Sequence, residues 1–354
     1  MKRKNIWPGL LLALSLFAQG PAHAQATETA MPSRISGSFV QPWFVAGWTA
    51  EEWKAEFADL VAAGVDDHVI WQWTVDSKEK TAYYPTKLAG FTMVAGMATE
   101  DPIRACLAEA KAAGVKVWLG LNSSDDWWKR HADDQAWLDA EFATSRAVAD
   151  ELWGRYGAEY GDSIAGFYLT MEVDNNHFLQ VSRQNRMKAA YARICEHIHA
   201  TTSKSVMIAP FCSDLALMGK GAWESMWENI LADAAIDVIN LQDGCGASDN
   251  GWMTHTTVGG VGAWFGATRQ AISKARPSTE LWSDLETFDM DAGANCFPLR
   301  DFGRIKRQIE AEKAYVSRFS SFAVMHYQTR MGADDSTGKL AAEQYGLLKS
   351  MQGK

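Results

Sequence analysis

Residues 60–73, LVAAGVDDHVIWQW, and residues 110–121, AKAAGVKVWLGL, repeat one construction. In each, an alanine-containing amphipathic stretch ends at a glycine, Gly64 or Gly114, followed by a valine and then a short strand-like run. Glycine closes a helix in the left-handed conformation without steric cost, so the pattern predicts helix, tight cap, then strand. Upstream, Thr49-Ala-Glu-Glu52 has the spacing of a capping box and starts the first of these helices. A helix that hands over directly to a buried strand is half of a βα unit, and its recurrence points to a parallel sheet.

Working outward, the alternation continues to the C-terminus. Strands are predicted at 37–42, 68–74, 115–121, 164–171, 205–211, 238–242, 280–285 and 321–326. Helical stretches fall at 49–63, 101–113, 139–156, 181–200, 222–235, 261–275, 301–316 and 338–351. Eight such units predict an α/β fold, a single-domain (β/α)8 TIM barrel. A doubly wound open sheet is the rival, but the first strand runs on as SFVQPWFVAGW (38–48), without the glycine-rich turn that holds a dinucleotide.

The N-terminus reads as a targeting segment. Lys2, Arg3 and Lys4 precede an apolar run from Leu10 to Phe17, and Ala22-His23-Ala24 supplies a small-x-small end. That is the pattern of a Sec-type signal peptide cleaved after Ala24, and the run is too short to span a bilayer. The expected plan is therefore 1–24 signal peptide, 25–34 extension and 35–354 barrel, with a periplasmic or secreted location and no membrane insertion. The chain carries 43 acidic against 34 basic residues, a net charge of −9, which disfavours nucleic acid as a partner. A monomer is expected, with no cofactor.

Sixteen tryptophans are many for a core alone. Trp53, Trp137, Trp153, Trp223 and Trp227 fall in or beside helices and read as core. Trp43, Trp71, Trp73, Trp127, Trp128 and Trp282 lie at or just past strand ends, where indole faces stack on sugar rings. Barrel chemistry sits at the C-terminal strand ends. There Glu172 follows the fourth strand and Glu286 the seventh, and a pair of carboxyls is what hydrolysis of a glycosidic bond requires. From position alone, each is equally a salt-bridged residue at a strand end. Asp174, Asp243 and Asp284 compete for the same roles, and Asp284 also fits a part in orienting a neighbour. Gln72, Asn122, Tyr168, Asp174, Asp243 and Tyr327 are expected to hold sugar hydroxyls.

Other chemistries have weaker support. His197 and His199 stand two apart on a helix and so do not share a face, and no H-E-x-x-H, G-x-S-x-G or P-loop occurs. No metal site is expected. Cys245 and Cys296 lie in neighbouring loops, so a disulfide between them is one possible pairing in an exported protein.

The strings HVIWQWTVD (68–76), AYYPTKL (82–88), KVWLGLNSSDDWW (116–128) and GFYLTMEVDN (166–175) together resemble an uncharacterised bacterial family of glycosidase-like barrels, domain of unknown function 4434. The similarity runs from about Gly37 to Met351. It implies a barrel similar to retaining glycoside hydrolases, with Glu172 as acid/base and Glu286 as nucleophile. The sequence departs from the large retaining-glycosidase clan in placing Met171, not asparagine, before the fourth-strand glutamate. The expected function is an exported glycoside hydrolase, endo-acting on a polysaccharide. The alternatives are a non-catalytic glycan-binding barrel accessory to exopolysaccharide export and, through His326-Tyr327, a polysaccharide lyase.

Overall fold

The computed structural model describes residues 31–247, 256–291, 296–332 and 339–354. The predicted signal peptide lies outside them. Eight parallel strands form one sheet in chain order: β1 (Gly37–Val40), β2 (His68–Trp71), β3 (Lys116–Gly120), β4 (Ile164–Leu169), β5 (Ser205–Ile208), β6 (Val238–Gln242), β7 (Glu280–Glu286) and β8 (Arg318–Phe322). The sheet curls until β8 returns to β1, where Ser36 N–H donates to the Phe319 carbonyl (2.8 Å) and the Ser321 hydroxyl to that of Gly37 (3.3 Å). Eight helices cover the outside: α1 (Ala50–Ala63), α2 (Pro102–Ala113), α3 (Gln135–Tyr160), α4 (Val181–Thr202), α5 (Lys220–Asp233), α6 (Val258–Ala275), α7 (Phe302–Glu312) and α8 (Lys339–Gln352). This is the (β/α)8 barrel that the sequence predicts. No helix among the described residues is long and apolar enough to cross a membrane.

The local signals act as their chemistry requires. Thr49 and Glu52 complete a reciprocal capping box on α1, and Gly64 and Gly114 close α1 and α2 with φ of 80° and 75°. Strand alternation then divides the side chains. Phe39, Ile70, Trp118, Tyr168, Met207, Val238 and Trp282 fill the barrel interior, while Trp71, Leu119, Phe167, Ile208, Leu241 and Leu285 belong to the layer beneath the helices. Large inward groups near the N-terminal end need small neighbours. A Cβ on Gly37 would sit 2.1 Å from the His68 ring, and one on Gly166 would sit 2.5 Å from that of Trp118.

Several boundaries differ from expectation. The eighth strand lies at Arg318–Phe322, and Val324–Tyr327 is a helical turn. Ser320 and Ser321 make this strand polar, yet Ser320 is buried against His68 (2.8 Å), which satisfies both groups inside the barrel. Helix α3 starts earlier, capped by Asp134, whose carboxylate accepts from Trp137 N–H (3.0 Å). Two additions flank the mouth: a small sheet of Val75–Asp76, Thr81–Ala82, Thr92–Met93 and Asn122–Ser123, and a hairpin pairing Phe288–Met290 with Cys296–Pro298. Alternation with turns of only a few residues leaves little sequence signal for either.

Candidate active site

Strand β7 carries Trp282, Asp284 and Glu286 at every second position, so they rise through the barrel in layers and Glu286 reaches the mouth. Beyond β4 the chain stays pinned for three more residues. The Thr170 hydroxyl donates to the Asn122 carbonyl (2.5 Å), the Tyr191 hydroxyl to that of Met171 (3.0 Å) and the Trp127 indole N–H to that of Glu172 (3.1 Å). Glu172 and Glu286 thereby line one cavity of about 260 Å³, walled largely by Phe39, Phe211, Phe288, Met290 and Phe322. A second lobe of about 150 Å³ adjoins it, bounded by Trp73, Ser123, Ser124, Asp125, Trp127 and Thr170. Gln72, Trp128, Tyr168 and Glu172 border both lobes, whereas Glu286 borders only the larger.

Burial in this apolar setting favours the neutral form of both carboxyls and pushes each up to about 8. Their remaining surroundings differ. Glu172 accepts a hydrogen bond from Gln242, while the charges of Asp174 and Glu286 oppose its ionisation. Asp243 opposes ionisation of Glu286, but Ala247 N–H donates to its Oε2 (2.7 Å), Gly246 N–H also donates, and the Arg304 guanidinium stands near. Backbone donors and a cation thus stabilise charge on Glu286. Asp284 is fully buried beneath the pair, where burial and the acidic groups Asp243, Glu286 and Glu172 hold it well above the carboxylate range.

Of the residues expected at the site, Glu172, Glu286, Gln72, Trp73, Trp128 and Tyr168 come together around the two lobes. Trp43 stands beyond them, half exposed, its ring 4.9 Å from that of Trp73. Trp127 is corrected as a stacking platform: it edges the smaller lobe but is buried, its ring stacked on those of Trp137 and Phe178. The expectation for Trp71 is corrected: it has the opposite strand parity from Gln72, is wholly buried and stacks on Trp53 of α1 (5.8 Å, 23°). Trp282 is also corrected. It lies two layers below Glu286, packed edge-on to Trp118 and under Arg318, with its indole N–H on Glu280.

Three polar expectations are likewise turned inward. Asn122 is buried against α3, donating to Glu141 (2.8 Å) and accepting from the Ser145 hydroxyl (2.6 Å). Asp243 is buried behind Glu286, where its Oδ1 accepts from the N–H groups of Cys245 (3.1 Å) and Glu286 (3.2 Å) and its Oδ2 from Gln308. Asp174 is buried in the loop after β4, accepting from Asn176 and His177. Tyr327 packs on Phe288 and bonds Cys296 and does not border either lobe.

His326 does not reach the mouth either: it is buried, stacked on Phe44, and its Nε2 accepts from Gln41 N–H (2.9 Å). The structure forms no Cys245–Cys296 disulfide. Cys245 is buried with its Sγ 3.7 Å from the Asp243 carbonyl, and Cys296 is exposed on the hairpin. His197 and His199 pair separately with Asp150 and Asp237 (both 2.7 Å).

Sequence reasoning missed Gln242 and the phenylalanine walls. Gln242 was legible, because it shares parity with Val238 and Asn240 and ends β6 pointing inward; its amide donates to the Ala209 carbonyl (2.8 Å). Phe211 pairs as an isolated bridge with Asp174 and Gln242, a long-range arrangement with no local pattern.

The chain belongs to the family described as Domain of unknown function (DUF4434), whose model matches residues 35–332. No curated protein matches it. Among solved structures it is similar to one described as a "putative alpha-L-fucosidase" from Bacteroides thetaiotaomicron, at 20% identity and a TM-score of 0.71, covering 90% of this chain and 95% of that one. It is similar to a glucosidase from Croceicoccus marinus at 11% identity and 0.52, covering 92% and 67%. A family 1 β-glucosidase from Thermotoga maritima matches at 9% and 0.50, covering 89% and 96%. At these identities the likeness is one of fold, the (β/α)8 barrel.

Proposed function

We propose that this DUF4434 barrel is an exported retaining glycoside hydrolase that cleaves within a polysaccharide, with Glu172 as acid/base and Glu286 as nucleophile. One observation carries the reading: both glutamates line a single cavity at the ends of β4 and β7, in surroundings that differentiate them. Glu172 borders both lobes, where a bond joining two sugars would cross from one to the other, and its raised affinity for a proton suits a general acid. Glu286 borders only the larger lobe, and the Ala247 and Gly246 N–H groups and the Arg304 guanidinium offset part of the burial that raises it, the direction a nucleophile needs.

In the first step the Glu286 carboxylate forms a bond to the anomeric carbon as the glycosidic C–O bond breaks, and Glu172 passes its proton to the departing oxygen. In the second, the Glu172 carboxylate takes a proton from water, the water oxygen bonds the anomeric carbon, and Glu286 leaves as carboxylate. The apolar walls strengthen each electrostatic interaction by keeping solvent out. Two adjoining lobes, with Trp73 on the wall of the smaller and Trp43 beyond it, supply room for several sugars and support action within a chain. Trp128, which borders both lobes, is the stacking platform nearest the cleavage point.

A lyase would need a base at the mouth, and the buried, occupied His326 does not supply one. The test is a screen of purified protein against a polysaccharide panel, reading reducing ends and unsaturated products together, with proton NMR of the first-formed anomer. Reducing ends of retained configuration support the reading. Unsaturated products, inverted configuration or binding without cleavage would replace it.

A further inference from the structure

Two loops beside the mouth meet at His131, Asp174 and His177. His131 follows the helical turn Trp127–Arg130 after β3, and the other two lie in the loop after β4. One nitrogen of each imidazole and one carboxylate oxygen stand within 4.8 Å of one another. The two imidazoles stack at 4.1 Å, and His177 Nδ1 is 3.0 Å from each Asp174 oxygen.

Three features set the cluster apart from ordinary surface histidines. His131 is only 5% exposed, and its Nδ1 has no hydrogen-bond partner within the protein, leaving that nitrogen open to a ligand. Asp174 is fully buried. His131 also holds φ of 45° and ψ of −130°, outside the regions comfortable for a side chain, so the loop positions this imidazole against backbone preference.

We propose that His131, Asp174 and His177 bind a divalent transition metal of the zinc class, which pins the loop after β3 to the loop after β4. Two imidazoles and a carboxylate suit Zn²⁺ and its neighbours, whereas Ca²⁺ and Mg²⁺ take oxygen ligands. Bonds of about 2.0–2.1 Å set ligand atoms of a tetrahedral site roughly 3.4 Å apart, and because the two rings stack face to face, one must turn for both lone pairs to converge on the ion. His177, whose side chain is 37% exposed, has the freedom to make that movement, and water completes the coordination. The pin bears on the cleft because the Trp128 ring packs edge-on against His131 (6.3 Å) while bordering both lobes. The cluster has no signature in the sequence, because its residues come from two loops with no motif spacing between them.

The test titrates chelator-treated full-length protein with Zn²⁺ by calorimetry and with Co²⁺ by visible absorption, and needs no substrate. One equivalent should bind, Co²⁺ should give the d–d spectrum of a low-symmetry nitrogen-ligated site, and His131→Ala and His177→Ala should each weaken binding at least tenfold. His197→Ala, remote from the cluster, should leave it unchanged. Absence of saturable binding, or binding that survives His177→Ala in a folded protein, would overturn the proposal. Should His131→Ala fail to fold, His177→Ala and Asp174→Asn carry the decision, judged alongside circular dichroism.

Discussion

The Asp243 carboxylate holds the backbone N–H of Glu286, with Oδ1 at 3.2 Å, and the same oxygen accepts from Cys245 N–H at 3.1 Å. The residue after β6 thus fixes the end of β7 from behind. Asp243→Ala leaves two buried N–H groups without acceptor, at a cost of about 1–3 kcal/mol each. Asp243→Asn keeps Oδ1, and the unpartnered Gln308 Oε1 lets that amide turn over to meet the new NH₂ group. Thermal denaturation should show a clear fall in Tm for the alanine variant and a much smaller one for asparagine.

The raised carboxyls set a stability profile. A carboxyl whose folded pKa lies above its unfolded value of about 4.3 stabilises the protein fully at low pH, and that contribution is lost as pH rises through the folded value, here about 8. Glu172→Gln removes the titration. Its Tm should match wild type near the unfolded pKa, exceed it increasingly up to about pH 8, and hold a constant excess beyond. An excess that shrinks with rising pH would refute the shift. Activity should fall on the alkaline side as the acid Glu172 loses its proton.

The tryptophans divide by position: Trp71 lies on β2 beneath α1, whereas Trp128 lies in the helical turn after β3. Trp71→Ala empties a site packed on Trp53 and should cost about 3–5 kcal/mol in denaturant titration. Trp128→Ala removes a ring that is 41% exposed and should change stability by no more than about 0.5 kcal/mol, while weakening oligosaccharide binding several-fold.

Thiol chemistry checks the loops after β6 and β7. Denatured protein should titrate with five thiols without reductant, and in the native state Cys296 should react first, since Cys106, Cys195, Cys212 and Cys245 are buried. Three thiols in the denatured protein would restore a disulfide.

The barrel was legible because each βα unit announces itself locally: the Thr49 cap, Gly64 and Gly114 at φ that other residues avoid, and a valine-led strand behind each. Glu172 and Glu286 were legible as polar groups ending β4 and β7. What escaped depends on contacts distant in sequence. The polar strand Arg318–Phe322 is buried only because His68 from β2 meets Ser320, and Trp71 belongs to the core only because α1 presents Trp53. Reading residues 68–74 as a block of strand-end aromatics hid the parity that separates Trp71 from Gln72. Asp174 and Asp243 looked like mouth residues by position, yet both turn back to bind the backbone of their own loops.

The division of labour between Glu172 and Glu286 is tested most directly on whichever polysaccharide the wild-type protein cleaves, by reducing-end release from Glu172→Gln and Glu286→Gln under the same conditions. Positioned proton transfer contributes about 10²–10⁴-fold and loss of the nucleophile at least as much, so both folded variants should fall by two orders of magnitude or more. Near-wild-type release by either variant would contradict the assignment.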